Sequence, residues 1–370
     1  MECKLVCKPW RDLIHLPSFS QKHLNHLNSA SDDDSGKLNF VFLHGVINDF
    51  SYDEYDENSD ETPFGRKERM NVNLPFYEHA PGYSFAGSCN GLICLHSFRK
   101  HIYGPTYIFN PITREYIIFP TSKENYWWTG FGYTLSTNEY KVVRVYADSN
   151  VQVYTLGSST GWRNLGTIDM NVETFRKDAG AFANGALHWA DNKGTILVFH
   201  LSDEKFRKLP PPPWFTPSGY LYFPISLGVF GDFSSATYYR YSFSGKSEIW
   251  LLKKNRDNYN DLRWRKEFSL EDVNILRHSS PFGFTKSGRL LCYEHHTLYG
   301  YDPEASSAKM DVNFGKTITA SIPHRNTLVS LNVLGEKDAK IMESGETTSS
   351  SEEAENSDKL KKPQNEAIDL

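Results

Sequence analysis

The sequence predicts a mainly β protein. It is a propeller-like ring of about six antiparallel blades, preceded by a short helical segment and followed by a disordered tail. Three observations carry this expectation. Aromatic residues make up 14 % of the chain and are spread from Phe40 to Tyr301, and such side chains fit a pleated, half-buried surface. From Phe85 to Leu334, short β-rich runs alternate with turn signals while helical periods are scarce. A repeat of about 100 residues runs through the same stretch.

The repeat sets the architecture. One unit reads SCNGLICL (88–95) and then YIFNPITREYIIFP (107–120). A second reads FANGALHWA (182–190) and ILVFHLSDEKFRKLPPP (196–212), and a third TKSGRLLCYE (285–294) and TLYGYDPEASSAKM (297–310). Gly91, Gly185 and Gly288 mark turns 94 and 103 residues apart. Between them lies an alternate unit, VQVYTLGSSTGWRNL (151–165) and SEIWLLKKNRDNYNDLRWRKEF (247–268). Its Trp162-Arg163 and Trp264-Arg265 pairs are 102 residues apart. Each period therefore holds two units of about 45–50 residues, the size of a four-stranded blade. Asn90-Gly91 and Asn184-Gly185 supply the two positive-φ positions of a type I′ hairpin turn. The stretch from Phe85 to Ala320 accounts for about five blades. The runs 38–43 (LNFVFL) and 328–334 (LVSLNVL) are expected to pair and close a sixth, leaving few exposed edges. A pair of immunoglobulin-like sandwiches fits the doubled period less well.

The flanking segments differ in kind. In residues 1–28, Leu5, Val6, Trp10, Leu13 and Ile14 recur at helical spacing, and Pro9 suits a first helical position. Residues 29–37 are a polar, acidic linker, and 38–335 form the β domain. The run 49–61 (DFSYDEYDENSDE) holds seven acids and no base, a pattern expected in a solvated loop. Residues 336–370 lack aromatics and are rich in Glu, Ser and Lys, so they are expected to be disordered. Within them SSSEEAE (349–355) places acids after serines, as acidophilic kinases require. The net charge of −5 divides into −7 for residues 1–61, −5 for 336–370 and +7 for the body between. A basic body can steer an acidic partner, but there is no dense basic cluster of nucleic-acid type.

No signal-peptide stretch opens the chain and no run approaches a membrane span. Five cysteines without a regular framework fit a reducing compartment, so a cytoplasmic or nuclear location is expected.

No chemistry stands out. The sequence has no GxxxxGK(S/T) loop, no GxGxxG opening a helix and no GxSxG elbow. Cys3 and Cys7, like Cys89 and Cys94, lack the spacing of a zinc site; the latter two flank a strand and are expected to be buried. His23 and His26 share a helix face without a third ligand, His188 fits blade packing, and His295-His296 fits a turn or blade edge. Asp203-Glu204 and Asp302-Pro303-Glu304 fall in hairpin turns, where Asp has a local role. Trp127 and Trp128 are the best sequence candidates for an exposed aromatic patch, although neighbours in a strand point to opposite faces. No catalytic residue, metal or cofactor is expected.

The segment CKLVCKPWRDLIHLPSFSQKHL (3–24) resembles the C-terminal half of a plant F-box. Its landmarks are Val6-Cys7-Lys8, Trp10, Leu13-Ile14 and Pro17-Ser18-Phe19. The ordered series SCNGLICL, IFNPITREYIIFP, FGYTLSTNEYKVVRVY, VQVYTLGSSTGWRNL, NGALHW, VFHLSDEKFRKLPPP and SEIWLLKK resembles the F-box-associated domain of the same proteins, which have kelch-type relatives. The resemblance spans residues 3–335. It implies the substrate-recognition subunit of a Skp–cullin–F-box ubiquitin ligase. The F-box would dock a Skp-type adaptor through Leu5, Val6, Trp10, Leu13 and Ile14, and the β domain would hold a protein substrate. Such a receptor does no covalent chemistry; it raises substrate concentration near the ubiquitin-carrying enzyme. A full F-box is about twice as long and carries an upstream Leu-Pro element. The other readings are a propeller that binds partners without recruiting the ligase, and a glycan-binding propeller. No nucleic acid and no membrane partner is expected.

Overall fold

The computed structural model describes residues 37–343, together with 16, 18–19 and 22–23 upstream. Within that span it leaves out 46–48, 60–63, 71, 73, 76–81, 100–101, 120–125, 171, 173–178, 192–194, 211–212, 214–224, 231–232, 240–246, 255–261, 271–279, 303 and 306. The expected helical segment 1–28, with Leu5, Val6, Trp10, Leu13 and Ile14, thus falls almost wholly outside the described residues.

Strands follow one another along the chain. They begin with β1 (Lys37–His44), β2 (Asp49–Asp56) and β3 (Phe64–Met70). Next come β4 (Gly82–Cys89), β5 (Leu92–Arg99), β6 (Ile102–Phe109) and β7 (Glu115–Phe119), then β8 (Tyr126–Thr134), β9 (Glu139–Tyr146), β10 (Asn150–Thr155) and β11 (Trp162–Thr167). The fourth group is β12 (Ala181–Ala183), β13 (Ala186–Ala190), β14 (Ile196–His200) and β15 (Lys205–Leu209). The fifth is β16 (Ile225–Phe230), β17 (Phe233–Tyr239), β18 (Ser247–Lys254) and β19 (Leu262–Leu270). The sixth is β20 (Ser280–Phe284), β21 (Leu290–Glu294), β22 (Thr297–Asp302) and β23 (Ser307–Asn313), after which come β24 (Ile318–Pro323), the one-turn helix α1 (Leu331–Leu334) and β25 (Lys340–Ile341).

These strands form six antiparallel sheets, the blades. Blades 3 to 6 are meanders of consecutive strands, blade 2 has the order β25-β7-β6-β5-β4, and blade 1 has the order β24-β1-β2-β3. The innermost strands β24, β4, β8, β12, β16 and β20 touch in that cyclic order, with β20 beside β24, so the ring closes on itself. The expected mainly β, propeller-like architecture with about six blades is the observed one.

The core is divided among the seams. Ala86, Cys94 and Ile108 of blade 2 meet Phe131, Tyr140 and Val142 of blade 3. Val41 and Phe50 of blade 1 meet Ile93 and Phe109 of blade 2. Trp128 of blade 3 stacks on Trp189 of blade 4 with ring centroids 5.8 Å apart. Smaller clusters fill the seams 1/6, 5/6 and 4/5. Because the inner strands are covered on both faces, they are buried along their length: in β9 every residue after Glu139 is buried, Lys141 and Arg144 among them. Burying one Leu, Val or Phe side chain contributes about 1.5–3 kcal/mol.

Three expectations are corrected. The run 328–334 is not the closing strand: Ser330 caps α1 by accepting from the Val333 N–H, and Gly335 ends it at φ 103°. The closing strand is β24, paired with β1 from Phe40↔Pro323 to His44↔Ile318. The acidic run from Asp49 is a strand through Asp56, because Phe50, Tyr52 and Tyr55 are buried. Its acids lie in register with the basic run of β3, Glu54↔Arg66 and Asp53↔Lys67, which offsets their mutual repulsion. Finally, order continues past 335: Glu336 and Met342 are buried, and β25 adds a fifth strand to blade 2.

Candidate binding surface

The meander gives the ring two unlike faces. At one end lie the tight turns from first to second and from third to fourth strand of a blade, among them 90–91, 110–114, 135–138, 184–185 and 201–204. Asn90 and Gly91 have φ 47° and 88°, and Asn184 and Gly185 have 53° and 72°, the signs a type I′ turn needs. At the other end lie the turns from second to third strand, such as 147–149 and 295–296, and the strand ends that the inter-blade connections 71–81, 120–125, 168–180, 210–224, 271–279 and 314–317 join. Such a connection crosses three inter-strand spacings, about 14 Å, which four or five extended residues span. The segments 168–180 and 210–224 far exceed that need.

The described chain enters and leaves on the turn face. β1 is second from the axis, so Lys37 lies at the turn end and His44 at the loop end. β24 runs the opposite way and delivers Pro323 to the turn face. Residues 324–343 then cross blades 2 and 3 as a strap.

Buried polar chemistry holds this strap. Asn110 donates from Nδ2 to the carbonyls of Thr327 (3.1 Å) and Val329 (2.7 Å). The Glu115 carboxylate accepts from the Ser330 hydroxyl (2.8 Å), the Leu331 N–H (2.5 Å) and Asn332 Nδ2 (3.1 Å). Glu336 accepts from the Tyr154 hydroxyl (3.0 Å) and the Gly157 N–H (2.7 Å). Burial, and then the Glu336 carboxylate, push the Tyr154 phenol above its ordinary range. Two glycines admit the strap: a Cβ on Gly91 would lie 1.9 Å from Thr327 Oγ1, and one on Gly157 1.7 Å from the Leu334 carbonyl oxygen. None of these partners was legible beforehand, because their separations exceed 175 residues. The only local signal was Ser330 three residues before Val333 and five before Gly335, a cap and stop pattern.

The same face pins blade 3 to blade 4. Glu204, in the turn before β15, accepts two bonds from Arg163 (3.1 and 2.6 Å) and one from Lys141 Nζ (2.9 Å). Burial pushes this carboxyl up, but those hydrogen bonds and charges prevail and hold it below its ordinary 4.5.

Trp128, His188, Cys89 and Cys94 are packed rather than presented, whereas Asp203, His295, His296 and Glu304 are exposed. Trp128 is fully buried in the seam between blades 3 and 4, so it is not part of an exposed patch; the Trp127 side chain lies outside the described residues. Its backbone is in the first turn-distal residues of β8, at the loop face. Burial lowers His188, His96 and His324 to about 4 each, so all three are neutral at pH 7. Burial raises the Cys89 thiol and pushes that of Cys94 up to about 12, which leaves no thiolate nucleophile there. Ser51 donates to Asp53 Oδ2 (2.8 Å) and stands 2.8 Å from His44 Nε2. With its proton directed at the carboxylate, this serine is not the base-activated hydroxyl of a triad. His295 lies in the turn before β22, Glu204 has φ 53° in its turn, and Asp302 Oδ1 accepts from the N–H groups of Glu304 and Ala305. Among the described residues no group of three His, Cys, Asp or Glu is placed to hold a metal.

Comparison with known proteins agrees with the fold. Residues 38–219, from β1 through β15 and into the connection that follows, match the model of the F-box associated beta propeller domain. The chain is 25 % identical to the F-box protein At3g07870 of Arabidopsis thaliana, over 82 % of this chain and 81 % of that one. It is 26 % identical to the F-box/kelch-repeat protein At3g23880 of the same plant, covering 72 % and 73 % of the two chains. It is 24 % identical to the Arabidopsis F-box protein CPR1, covering 80 % and 75 %.

Proposed function

For a chain that carries an F-box associated β-propeller domain and groups with plant F-box proteins, we propose the role of substrate-recognition subunit of a Skp–cullin–F-box ubiquitin ligase. The general receptor role follows from the family; the assignment of surfaces is ours. The supporting observation is the opposition of the two faces. Residues before Lys37 join the ring at the turn face, and the strap occupies part of that same face. The strand ends joined by the longest connections, 168–180 and 210–224, lie on the other. The adaptor is assigned to Leu5, Val6, Trp10, Leu13 and Ile14, on the turn-face side, and the protein substrate to the loop face. Binding then needs no catalytic group on the receptor, only complementarity at a few central anchors.

Two measurements test this. In calorimetric titration, a Skp-type adaptor is expected to bind tightly to a chain that carries residues 3–24 within an F-box, with a few apolar anchors supplying most of the energy. Trp10→Ala should abolish the tight binding; unchanged affinity would refute the anchor assignment. Replacing 214–224 by a Gly/Ser segment of equal length should abolish capture of the protein substrate while leaving adaptor affinity unchanged. Retained capture would remove the substrate from the loop face.

A further inference from the structure

The outer edges of the blades are not alike. In blade 2 the outermost strand β7 (EYIIF) is largely buried, and β25 covers its start. In blades 4 and 5 the outermost strands β15 (KFRKL) and β19 (LRWRKEFSL) carry six basic residues and one acid, and they close their sheets without a further strand. Part of that charge is matched within the blades: Arg207 pairs with Asp203 at 2.5 Å, and Lys266 with Glu248 at 3.4 Å. Lys205, Lys208 and Arg265 are exposed and have no ion-pair partner among the described residues. The two strands also converge. The Trp264 indole N–H donates to the Pro210 carbonyl at 3.0 Å, which brings the neighbourhood of Lys208 to that of Arg265.

Basic side chains on an exposed edge keep foreign strands away, and they also attract an acidic one. The chain holds such a segment. Residues 346–358 (ETTSSSEEAENSD) contain five acids and no base. The described chain reaches Glu343 at the outer edge of blade 2, where Arg114 Nη2 donates to its carbonyl and to that of Met342. An extended chain advances about 3.3 Å per residue, so residues 344–355 span about 40 Å. Stacked sheets lie about 10 Å apart, and even with the splay of the rim that length passes blade 3 and reaches blade 4. Tethering supplies an effective concentration of order millimolar.

We propose that the far end of this acidic segment, 352–358, docks on the exposed basic strands β15 and β19 with the residues from 344 as its tether, so that the chain carries its own competitor for any acidic partner of that rim. The inference does not rest on adaptor binding. Carbodiimide coupling, which joins lysine to carboxylate with no spacer, tests it on the full chain. The expected products are intrachain links from Lys205 or Lys208 to carboxylates in 352–358. They should disappear at about 0.5 M salt, where charges are screened within a few ångströms, and in the Lys205→Glu/Lys208→Glu variant. Links found only between two copies, or equally at the exposed Lys286 and Lys337, would overturn the proposal. So would an unrelated acidic peptide that couples to Lys205 and Lys208 while the chain's own segment does not; that result would give the rim to a partner in trans. A labelled peptide 344–370 should bind a chain ending at Glu343 at least tenfold more tightly than the full chain. Equal affinity for the two would also overturn it.

Discussion

The turn face and the loop face are built from the same meander, yet they are stabilised differently. On the turn face, connections are short, and the buried carboxylates of Glu115 and Glu336 and the half-buried one of Glu204 are each satisfied by two or more donors from a distant part of the chain. On the loop face, the long segments 168–180 and 210–224 join blades whose packing is already complete in the seams. A face that carries buried polar groups tolerates little change, because each unsatisfied group costs about 1–3 kcal/mol. A face of long surface connections tolerates much, because loop closure cost grows slowly with length. The first suits a fixed attachment, the second variable recognition.

The largest test of this contrast is truncation. A chain ending at Gly335 loses the Glu336 bonds, β25 and the buried Met342, and should be destabilised by about 5 kcal/mol in a denaturant titration. A chain ending at Glu343 should lose only about 1.4 kcal/mol, the amount that a tenfold intrachain docking contributes. Equal midpoints for both truncations would mean that the strap does not stabilise the ring.

A finer test uses two turn-face glycines. Gly157 has φ 77°, and an added Cβ would meet the Leu334 carbonyl; Gly185 has φ 72° with nothing within 4 Å. Gly157→Ala should cost about 3 kcal/mol through the clash and the backbone together, and Gly185→Ala about 1 kcal/mol through the left-handed backbone alone. Equal losses in urea melts would show that the strap yields without cost.

The smallest expected effect is in acid. His324 is buried where the strap begins, 2.9 Å from the Ser88 hydroxyl, and burial lowers it from 6.5 to about 4. Its folded value lies below its unfolded one, so its contribution is complete above pH 6.5 and fades as pH falls toward 4. Between pH 7 and pH 5 the native chain should therefore lose up to about 2 kcal/mol more than His324→Gln, which cannot charge. Parallel pH profiles for the two would show that the ring is solvated.

Much of the blade plan was legible in residues near one another. Asn90-Gly91 and Asn184-Gly185 marked type I′ turns that the structure contains, and the doubled period marked paired blades. Cys89, Cys94 and His188 were expected to be packed, and they are. The acidic run from Asp49 misled because charge density alone hid its alternation: Phe50 and Tyr52 fill a seam, and a basic strand lies in register beside it. Trp128 misled because an adjacent pair of tryptophans does not reveal which member a neighbouring blade covers.

The sequence by itself determined the elements whose information is local: hairpin turns, strand runs and the repeat that spaces them. Tertiary structure alone decided which strand closes the ring, how residues 336–343 pack against blades 2 and 3, and which carboxylates hold the strap. The reason is one of range. A turn depends on the φ preferences of two neighbouring residues. The pairing of β24 with β1 and the bonds of Glu115 to 330–332 join positions more than 200 residues apart. Their energies exist only once six blades have brought those positions together.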